Sequence, residues 1–172
     1  MNGNNHVMLD LETMGNGSQS AIIAIGAVAF DFKDGVYSKF YQNIHLETSL
    51  KAGMKVDGGT VEWWLTQGDE ARNSLLKNRV SIQSALVEFA KWYKDSGAEE
   101  VWGNGAMFDN TILGNAYKLL DMEIPWKFWN DRCYRTIKNI SKVEMERVGT
   151  HHNAVDDAES QALHLINIFK TI

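Results

Sequence analysis

The first 45 residues carry a pattern of apolar and polar positions that predicts three β-strands. Residues 6–11 and 20–31 are mostly apolar, whereas residues 36–45 alternate between apolar and polar side chains. The dipeptide Asp34-Gly35, between the second and third segments, is typical of a hairpin turn. The pattern therefore predicts that this part of the chain is an antiparallel meander.

From residue 60 onward the apolar positions follow a helical spacing. Residues 60–66 predict a short helix with Thr60 as its N-cap. Residues 81–97 predict a longer amphipathic helix, because their apolar side chains recur three and four positions apart. Ser81 is the expected N-cap of this helix and Gly97 its expected C-cap.

Strands and helices alternate in the rest of the chain. The predicted elements are a strand at 99–104, a helix at 109–122 capped by Asp109 or Asn110, a short strand leading into a helix at 131–137, and a closing amphipathic helix at 153–172 capped by Asn153. This order predicts an α/β fold, a mixed sheet flanked by helices. Because no repeat or Pro-rich linker interrupts the sequence, we expect one domain over residues 1–172.

Length and composition support a soluble globular domain. The 172 residues suffice for a sizeable core, and the 44% apolar and 23% charged contents are ordinary for such proteins. Cys133 is the single cysteine, which excludes an intramolecular disulfide. The longest apolar run, residues 21–30, is too short to cross a bilayer, and no basic residue precedes it. We therefore expect no membrane association and a cytoplasmic location.

The charge distribution narrows the classes of partner. A net charge of −5 argues against a broad basic face for duplex nucleic acid, but not against an enzyme that handles a few phosphates through metal ions. No Lys or Arg precedes Lys33, so the opening strand has no cation nearby in sequence. Residues 127–147 hold six basic and three acidic side chains, which indicates either a solvated helix face or a substrate-facing strip.

Two acidic residues interrupt the apolar first strand. Asp10 and Glu12 are two positions apart, so a strand would place both carboxylates on one face, where they repel each other. They need basic partners from elsewhere in the chain, or a cation. Asp109 follows a predicted strand, Asp157 lies in the first turn of the last helix, and His152 precedes that helix. Taken singly, these three are also explained as helix caps and an ordinary loop histidine.

Taken together, the four carboxylates are suited to binding two divalent cations. Mg²⁺ and Mn²⁺ prefer oxygen ligands, and a two-metal centre holds both the attacking water and the leaving oxygen in phosphoryl transfer. One carboxylate must bridge both ions, and the middle of the first strand is the natural place for it. His152 has a suitable pKa to act as the general base.

Three short motifs give the chain a resemblance to a known family. The segments "DLETMG", "NGAMFDN" and "HHNAVDDA" resemble, in order, the three exonuclease motifs of the DEDDh family of 3′→5′ exonucleases, which have a ribonuclease H-like fold. The motifs are Asp-x-Glu, an aromatic residue followed by Asp, and His-x₄-Asp, matched by Asp10 and Glu12, Phe108 and Asp109, and His152 and Asp157. His151 and Asp156 have the same spacing, but Ala158 and the "HNA" segment favour His152 and Asp157.

The lengthened "DLETMGNG" turn and the segment "TVEWWLTQGDEAR" are similar to one branch of this family. That branch contains exonuclease VIII nuclease-like sequences, phage exonuclease A and related bacterial exoribonucleases. The resemblance implies a role for each motif residue. Asp10 would bridge both metals, Glu12 and Asp157 would hold the ion that carries the nucleophilic water, Asp109 would complete the second site through waters, and His152 would be the base.

The resemblance also implies contacts with substrate. The backbone around Met14 and Gly15 would approach the terminal nucleotide, and Phe108 could stack on a base. Asn104 is a further candidate for a hydrogen bond to a sugar or base. Of the adjacent Trp63 and Trp64, a short helix would bury one and expose the other, or both would pack in the core or at a subunit interface. Our hypothesis is that Trp64 borders the substrate cleft.

The expected function is a metal-dependent 3′→5′ exonuclease that releases nucleoside 5′-monophosphates from single-stranded ends. The alternatives are a non-catalytic nucleic-acid-binding module of the same fold and a phosphoesterase acting on dinucleotides. The sequence does not choose between RNA and DNA, because no motif reports a contact to the ribose 2′-OH. The resemblance also suggests a homodimer.

Overall fold

Six strands pair into one mixed sheet in a computed structural model that describes residues 5–171. The strands are β1 (Asn5–Thr13), β2 (Ile22–Asp31), β3 (Gly35–Ile44), β4 (Arg79–Val80), β5 (Ala98–Gly103) and β6 (Asp131–Cys133). Their order across the sheet is β4-β3-β2-β1-β5-β6. The β1–β2 and β2–β3 pairs are antiparallel, and the β3–β4, β1–β5 and β5–β6 pairs are parallel. The predicted meander and mixed sheet are confirmed.

Helices cover both faces of this sheet. They are α1 (Leu46–Lys51), α2 (Gly58–Leu65), α3 (Asp69–Ser74), α4 (Ile82–Ser96), α5 (Asp109–Leu119), α6 (Tyr134–Ile140) and α7 (Ala154–Lys170), with a 3₁₀ turn at Phe128–Asn130. The short elements α1, α3 and β4 are absent from the prediction, because two to six residues are too few to show a clear periodicity.

The strand β1 is buried on both faces, and its side chains alternate between two cores. Val7 and Leu9 pack in the core that includes residues of α4 and α5, whereas Met8 packs in the core that includes residues of α6 and α7. By this alternation Asp10 and Glu12 lie on the same face as Met8, towards α7. The predicted sharing of one face is confirmed.

Three predicted helix caps are confirmed, and two are wrong. Ser81 and Asn153 accept backbone N–H groups at the starts of α4 and α7, and Gly97 ends α4 with a left-handed φ of 67°. Helix α2, however, begins two residues before Thr60. Its N-cap is Asp57, whose carboxylate accepts both the backbone N–H and the hydroxyl of Thr60, each at 2.9 Å. A carboxylate that can bind both groups fixes the start of the helix there.

The predicted capping of α5 by Asp109 or Asn110 is also wrong. The helix begins at Asp109, but Phe108 occupies the cap position without a side-chain hydrogen bond. Asp109 instead bonds to backbone groups of β1 and of the segment after β5, and the Asn110 amide donates to the Val101 carbonyl of β5 at 3.0 Å. Both side chains therefore link strands rather than close a helix end. Within residues 5–171, no helix is both long and apolar enough to span a membrane.

Candidate active site

Three carboxylates meet at the carboxyl-terminal half of β1. Asp10 and Glu12 come from this strand and Asp157 from the first turn of α7, and their carboxylate oxygens lie within 4.8 Å of one another. We call these three residues the carboxylate cluster. It contains three of the four predicted metal ligands.

The approach of α7 to the sheet brings Asp157 into this cluster. Gly26 of β2 pairs with Asp10, and a Cβ at position 26 would lie 2.1 Å from the carbonyl carbon of Ala154. Only glycine therefore lets the start of α7 pack directly on the strand beside Asp10. In the sequence, Asp156 and Asp157 are both possible ligands, and only the motif resemblance favours Asp157. In the structure Asp156 accepts the Thr150 N–H at 2.8 Å, while Asp157 lies beside β1.

Asp109 lies next to the cluster but binds backbone groups. Its side chain is buried, at 3% exposure, and its two oxygens accept the N–H groups of Leu11 at 3.1 Å and Asn104 at 3.0 Å. It therefore ties β1 to the end of β5. Since a carboxylate oxygen has more than one acceptor site, these bonds leave capacity for a water. The expected role of Asp109 as a ligand that acts through waters stays a prediction.

The carboxylates destabilise one another in their charged forms. Burial, followed by the charges of Asp109, Glu12 and Asp157, raises the pKa of Asp10 well above its usual value. Burial and the charges of Asp157 and Asp109 raise the pKa of Glu12 in the same way. Burial raises the pKa of Asp109 to about 7, against the effect of its backbone hydrogen bonds. Such a group of buried acids is stabilised by a cation.

Two polar side chains oppose this repulsion. The Gln161 amide donates to Asp10 Oδ1 at 2.7 Å, and Arg147 donates to Asp157 Oδ1 at 2.8 Å. The sequence interpretation missed both. Gln161 follows Asp157 by one helical turn, so its position on the same face of α7 was a usable signal. Arg147 lies in the segment before α7, where no periodicity indicates which way a side chain points.

His152 lies beside the carboxylate cluster in a left-handed turn. Its φ is 62°, its N–H donates to Asp157 Oδ2 at 3.0 Å, and its ring contacts Trp63 edge-on at 5.1 Å between centroids. Burial lowers the pKa of His152 below its usual value, and the charge of His151 lowers it further, against the opposing charge of Asp157. The imidazole is therefore neutral at neutral pH, which is the form that accepts a proton.

A cleft of about 210 Å³ opens over these groups. Besides the carboxylate cluster and the two histidines, its lining includes Asn104, Tyr134, Lys138, Met145, Arg147 and Gln161. Part of the basic segment 127–147 lines the cleft. Lys138 and Arg147 face the cleft, whereas Arg132 bonds to Glu100 at 2.6 Å, away from the cleft lining.

The residues expected to contact the substrate differ in where they lie relative to the cleft. Asn104 lines the cleft, and its carbonyl accepts from Arg135 at 2.6 Å. Met14 and Phe108 are half-buried and pack against the core. At Gly15 a Cβ would lie 2.7 Å from Ser20 Oγ, so this glycine allows the loop to pack against itself. The proposed substrate contacts of these four residues stay predictions.

The structure places the two tryptophans differently. Trp64 is only 5% exposed, and its indole N–H donates to the Thr13 carbonyl at the end of β1, at 2.9 Å. Trp63 is 42% exposed and is the one that contacts His152 closely. The sequence shows that neighbours on a helix point in different directions, but not which one faces the sheet. Trp64 thus supports β1 from inside, and Trp63 lies at the rim of the site.

Comparison with known proteins gives this arrangement a family. The family described as the 3′-5′ exoribonuclease Rv2179c-like domain matches residues 5–169. The chain belongs to this family. The predicted exonuclease class is therefore confirmed at the level of the family, including its branch of bacterial exoribonucleases.

Individual relatives agree with this assignment. An exodeoxyribonuclease of Enterobacteria phage T4 is 28% identical over 156 residues, which cover 75% of this chain and 68% of that protein. The E. coli exonuclease I in its zinc-bound complex with single-stranded DNA superposes with a TM-score of 0.67 at 12% identity, over 98% of this chain. The Mg²⁺- and Mn²⁺-bound S. pombe Pop2p superposes with a TM-score of 0.58 at 16% identity, over 95% of this chain and 82% of its own.

At such low identity the two structures establish the fold alone, which confirms the predicted ribonuclease H-like architecture. The chain spans 40% of the length of the exonuclease I chain it matches. The single-domain boundary, the homodimer and the cytoplasmic location stay predictions.

Proposed function

We propose that the protein is a metal-dependent 3′→5′ exonuclease that removes nucleoside 5′-monophosphates from single-stranded ends. The observation that carries the proposal is the carboxylate cluster beside a neutral histidine in one cleft. Membership of an exoribonuclease domain family supports it.

The donor set fits two hard divalent cations. The three carboxylates of the cluster offer oxygens within 4.8 Å of one another, and the raised pKa values of Asp10 and Glu12 indicate that a cation would stabilise their charged forms. Oxygen-only donors favour Mg²⁺ or Mn²⁺. Asp10, Glu12 and Asp157 would hold the ions directly, and Asp109 would bind one of them through water. Bound ions would lower the pKa of a water and stabilise the charge that develops on the scissile phosphate.

The remaining groups of the cleft have distinct roles in this proposal. His152 accepts the proton of the attacking water, because its lowered pKa leaves the imidazole unprotonated at neutral pH. The Gln161 amide fixes the orientation of Asp10 through their 2.7 Å hydrogen bond. Lys138 lies in the lining of the cleft and supplies positive charge for the phosphates. Asn104, Met14, Gly15 and Phe108 surround the terminal nucleotide, and Trp63 joins them at the rim.

A labelled-strand assay tests this function. Matched RNA and DNA oligonucleotides, labelled at the 3′ or the 5′ end, are incubated with Mg²⁺ or Mn²⁺ and with chelator. We expect stepwise loss from the 3′ end, which stops with chelator and in Asp10→Asn. Binding without cleavage of either nucleic acid would instead indicate a non-catalytic module.

A phosphoesterase acting on dinucleotides is a second candidate. The cleft, of about 210 Å³, is compatible with it, because the space suits a short substrate as well as the end of a long one. Rates measured on dinucleotides and on strands of increasing length separate the two functions. A rate that falls with length supports the second candidate, and an equal or rising rate supports the exonuclease.

A further inference from the structure

A second group of potential ligands lies at the edge of the cleft. One nitrogen of His151, one nitrogen of His152 and one oxygen of Asp157 lie within 4.8 Å of one another. We call these three residues the histidine cluster. It shares Asp157 with the carboxylate cluster, but its donors are mainly nitrogen. His151 has no part in the proposed reaction.

The local backbone holds the two rings together. Adjacent side chains ordinarily diverge, yet the rings of His151 and His152 stack with centroids 3.8 Å apart and planes 26° from parallel. The left-handed φ of 62° at His152 accompanies this arrangement. The edge-on contact with Trp63 limits the motion of the inner ring, while His151 is exposed and reachable from solvent.

The donors of this cluster select a different class of metal from the carboxylate cluster. Imidazole nitrogen suits Zn²⁺, Ni²⁺ and Cu²⁺, whereas Mg²⁺ takes oxygen ligands and seldom gives up its waters for nitrogen. Two histidines and one carboxylate are also a ligand set that Zn²⁺ accepts with a fourth position left open. Arg147 and the backbone N–H of His152 each bond to one oxygen of Asp157, but the half-exposed Arg147 side chain can move aside and free its oxygen.

We propose that His151, His152 and Asp157 form a binding site for a transition-metal ion that prefers imidazole nitrogen, such as Zn²⁺. A metal ion bound at this site inhibits the enzyme. Ligation takes up the nitrogen of His152 that would accept the proton of water, and it draws Asp157 away from the carboxylate cluster. The site is thus a point of inhibition by metals other than the activating ones. The inhibition rests on the proposed function, whereas the binding does not.

Calorimetric titration of Zn²⁺ into protein saturated with Mg²⁺ tests the binding. The wild type should bind one equivalent of Zn²⁺ at the histidine cluster in the presence of Mg²⁺, which competes there only for the shared Asp157. His151→Ala should weaken this binding by about tenfold or more, because one of three ligands is lost. Asp10→Asn should keep it, since that residue belongs to the carboxylate cluster alone. His45→Ala is the matched control, because it removes another exposed histidine that makes no side-chain cap to α1. Wild-type affinity in His151→Ala, or loss of binding in Asp10→Asn, overturns the site.

Nuclease assays at fixed Mg²⁺ test the inhibition. Zn²⁺ should inhibit the wild type and His45→Ala at the same concentration, and His151→Ala should require about tenfold more. Equal inhibition of all three proteins contradicts the proposed consequence, as does Zn²⁺ that binds without inhibiting. If the wild type cleaves no strand, the proposed function fails, while the calorimetric result still decides the metal site.

Discussion

Both ends of β1 place buried titratable side chains on the same face of the sheet. At the amino-terminal end the nearby charges are balanced by an ion pair, whereas at the carboxyl-terminal end several acids lie together. At the amino-terminal end His6 is 6% exposed, and its Nδ1 lies 3.1 Å from Glu100 Oε2. Arg132 bonds to the other oxygen of Glu100 at 2.6 Å. Burial lowers the pKa of His6 despite this contact, so the ion pair at neutral pH is the one between Arg132 and Glu100.

At the carboxyl-terminal end, the acids outnumber their partners. Asp10, Glu12 and Asp157 lie together, with Arg147 as the ion-pair partner of Asp157 and Gln161 as a neutral partner of Asp10. An acid beside this strand can be balanced by a basic side chain, as Arg132 does for Glu100 of the neighbouring β5 at the other end. Buried like charges without such balance are costly, and they persist where a bound ion completes them. The contrast is consistent with a structural role for the first end and supports the proposed metal-binding role of the second.

Among the variants that test this contrast between the two ends, Asp10→Asn should have the largest effect. Turnover should fall on the order of 10³-fold or more, because the cluster acts as a unit. In metal-free protein at pH 8, however, the same change should raise the melting temperature, since it removes a buried charge and its repulsion. Rates on labelled strands and thermal melts check the two effects. A lower melting temperature without metal would show that the cluster is not strained by its charges.

The second expected effect concerns His152. His152→Ala should reduce kcat by about 10²- to 10⁴-fold while divalent metal still raises the melting temperature. Because burial and His151 lower the pKa of His152, activity in the wild type should persist through pH 6.5 and fall only at lower pH. A pH–rate profile with chemistry as the slow step checks this. Activity that is already lost between pH 8 and 7 contradicts the assignment of His152 as the base.

The stability of the two ends should also differ in its dependence on pH and metal. The folded pKa values of Asp10, Glu12 and Asp109 lie above those of the unfolded chain, that of Asp109 at about 7. Their contribution to stability is therefore present below about pH 4 and is lost as pH rises through these raised values. At pH 8, Mg²⁺ or Mn²⁺ at 100 times its Kd should raise the melting temperature by about 5–10 °C. At pH 5 the same metal concentration should raise the melting temperature by less. Equal rises at pH 5 and pH 8 would argue against the carboxylate cluster as the metal site.

The smallest effect is expected at the amino-terminal end. Glu100→Gln removes the charge beside Arg132, whose side chain is about one-third exposed, so solvent screens part of the interaction. We expect a loss of about 1 kcal/mol and a melting temperature lower by about 2–4 °C, with unchanged nuclease activity. The variant is also the control for Asp10→Asn, because each removes one carboxylate near β1. Lost activity in Glu100→Gln would show that the two ends are coupled.

Much of this protein follows from local patterns in its sequence. The strand period places Asp10 and Glu12 on one face, and the structure keeps them there. The helix caps at Ser81, Gly97 and Asn153 were also predicted from the local sequence. These features depend on backbone geometry within a few residues, so the local sequence was enough to predict them.

Other features were decided only by the tertiary structure. Trp64 rather than Trp63 faces the sheet, and Asp109 binds two strands instead of capping its helix. The Gln161 amide reaches Asp10 across 151 positions of the chain. Each of these outcomes depends on how a helix is rotated and docked against the sheet. That docking is set by packing between distant segments, as where Gly26 admits the start of α7, and no local period of the sequence specifies it.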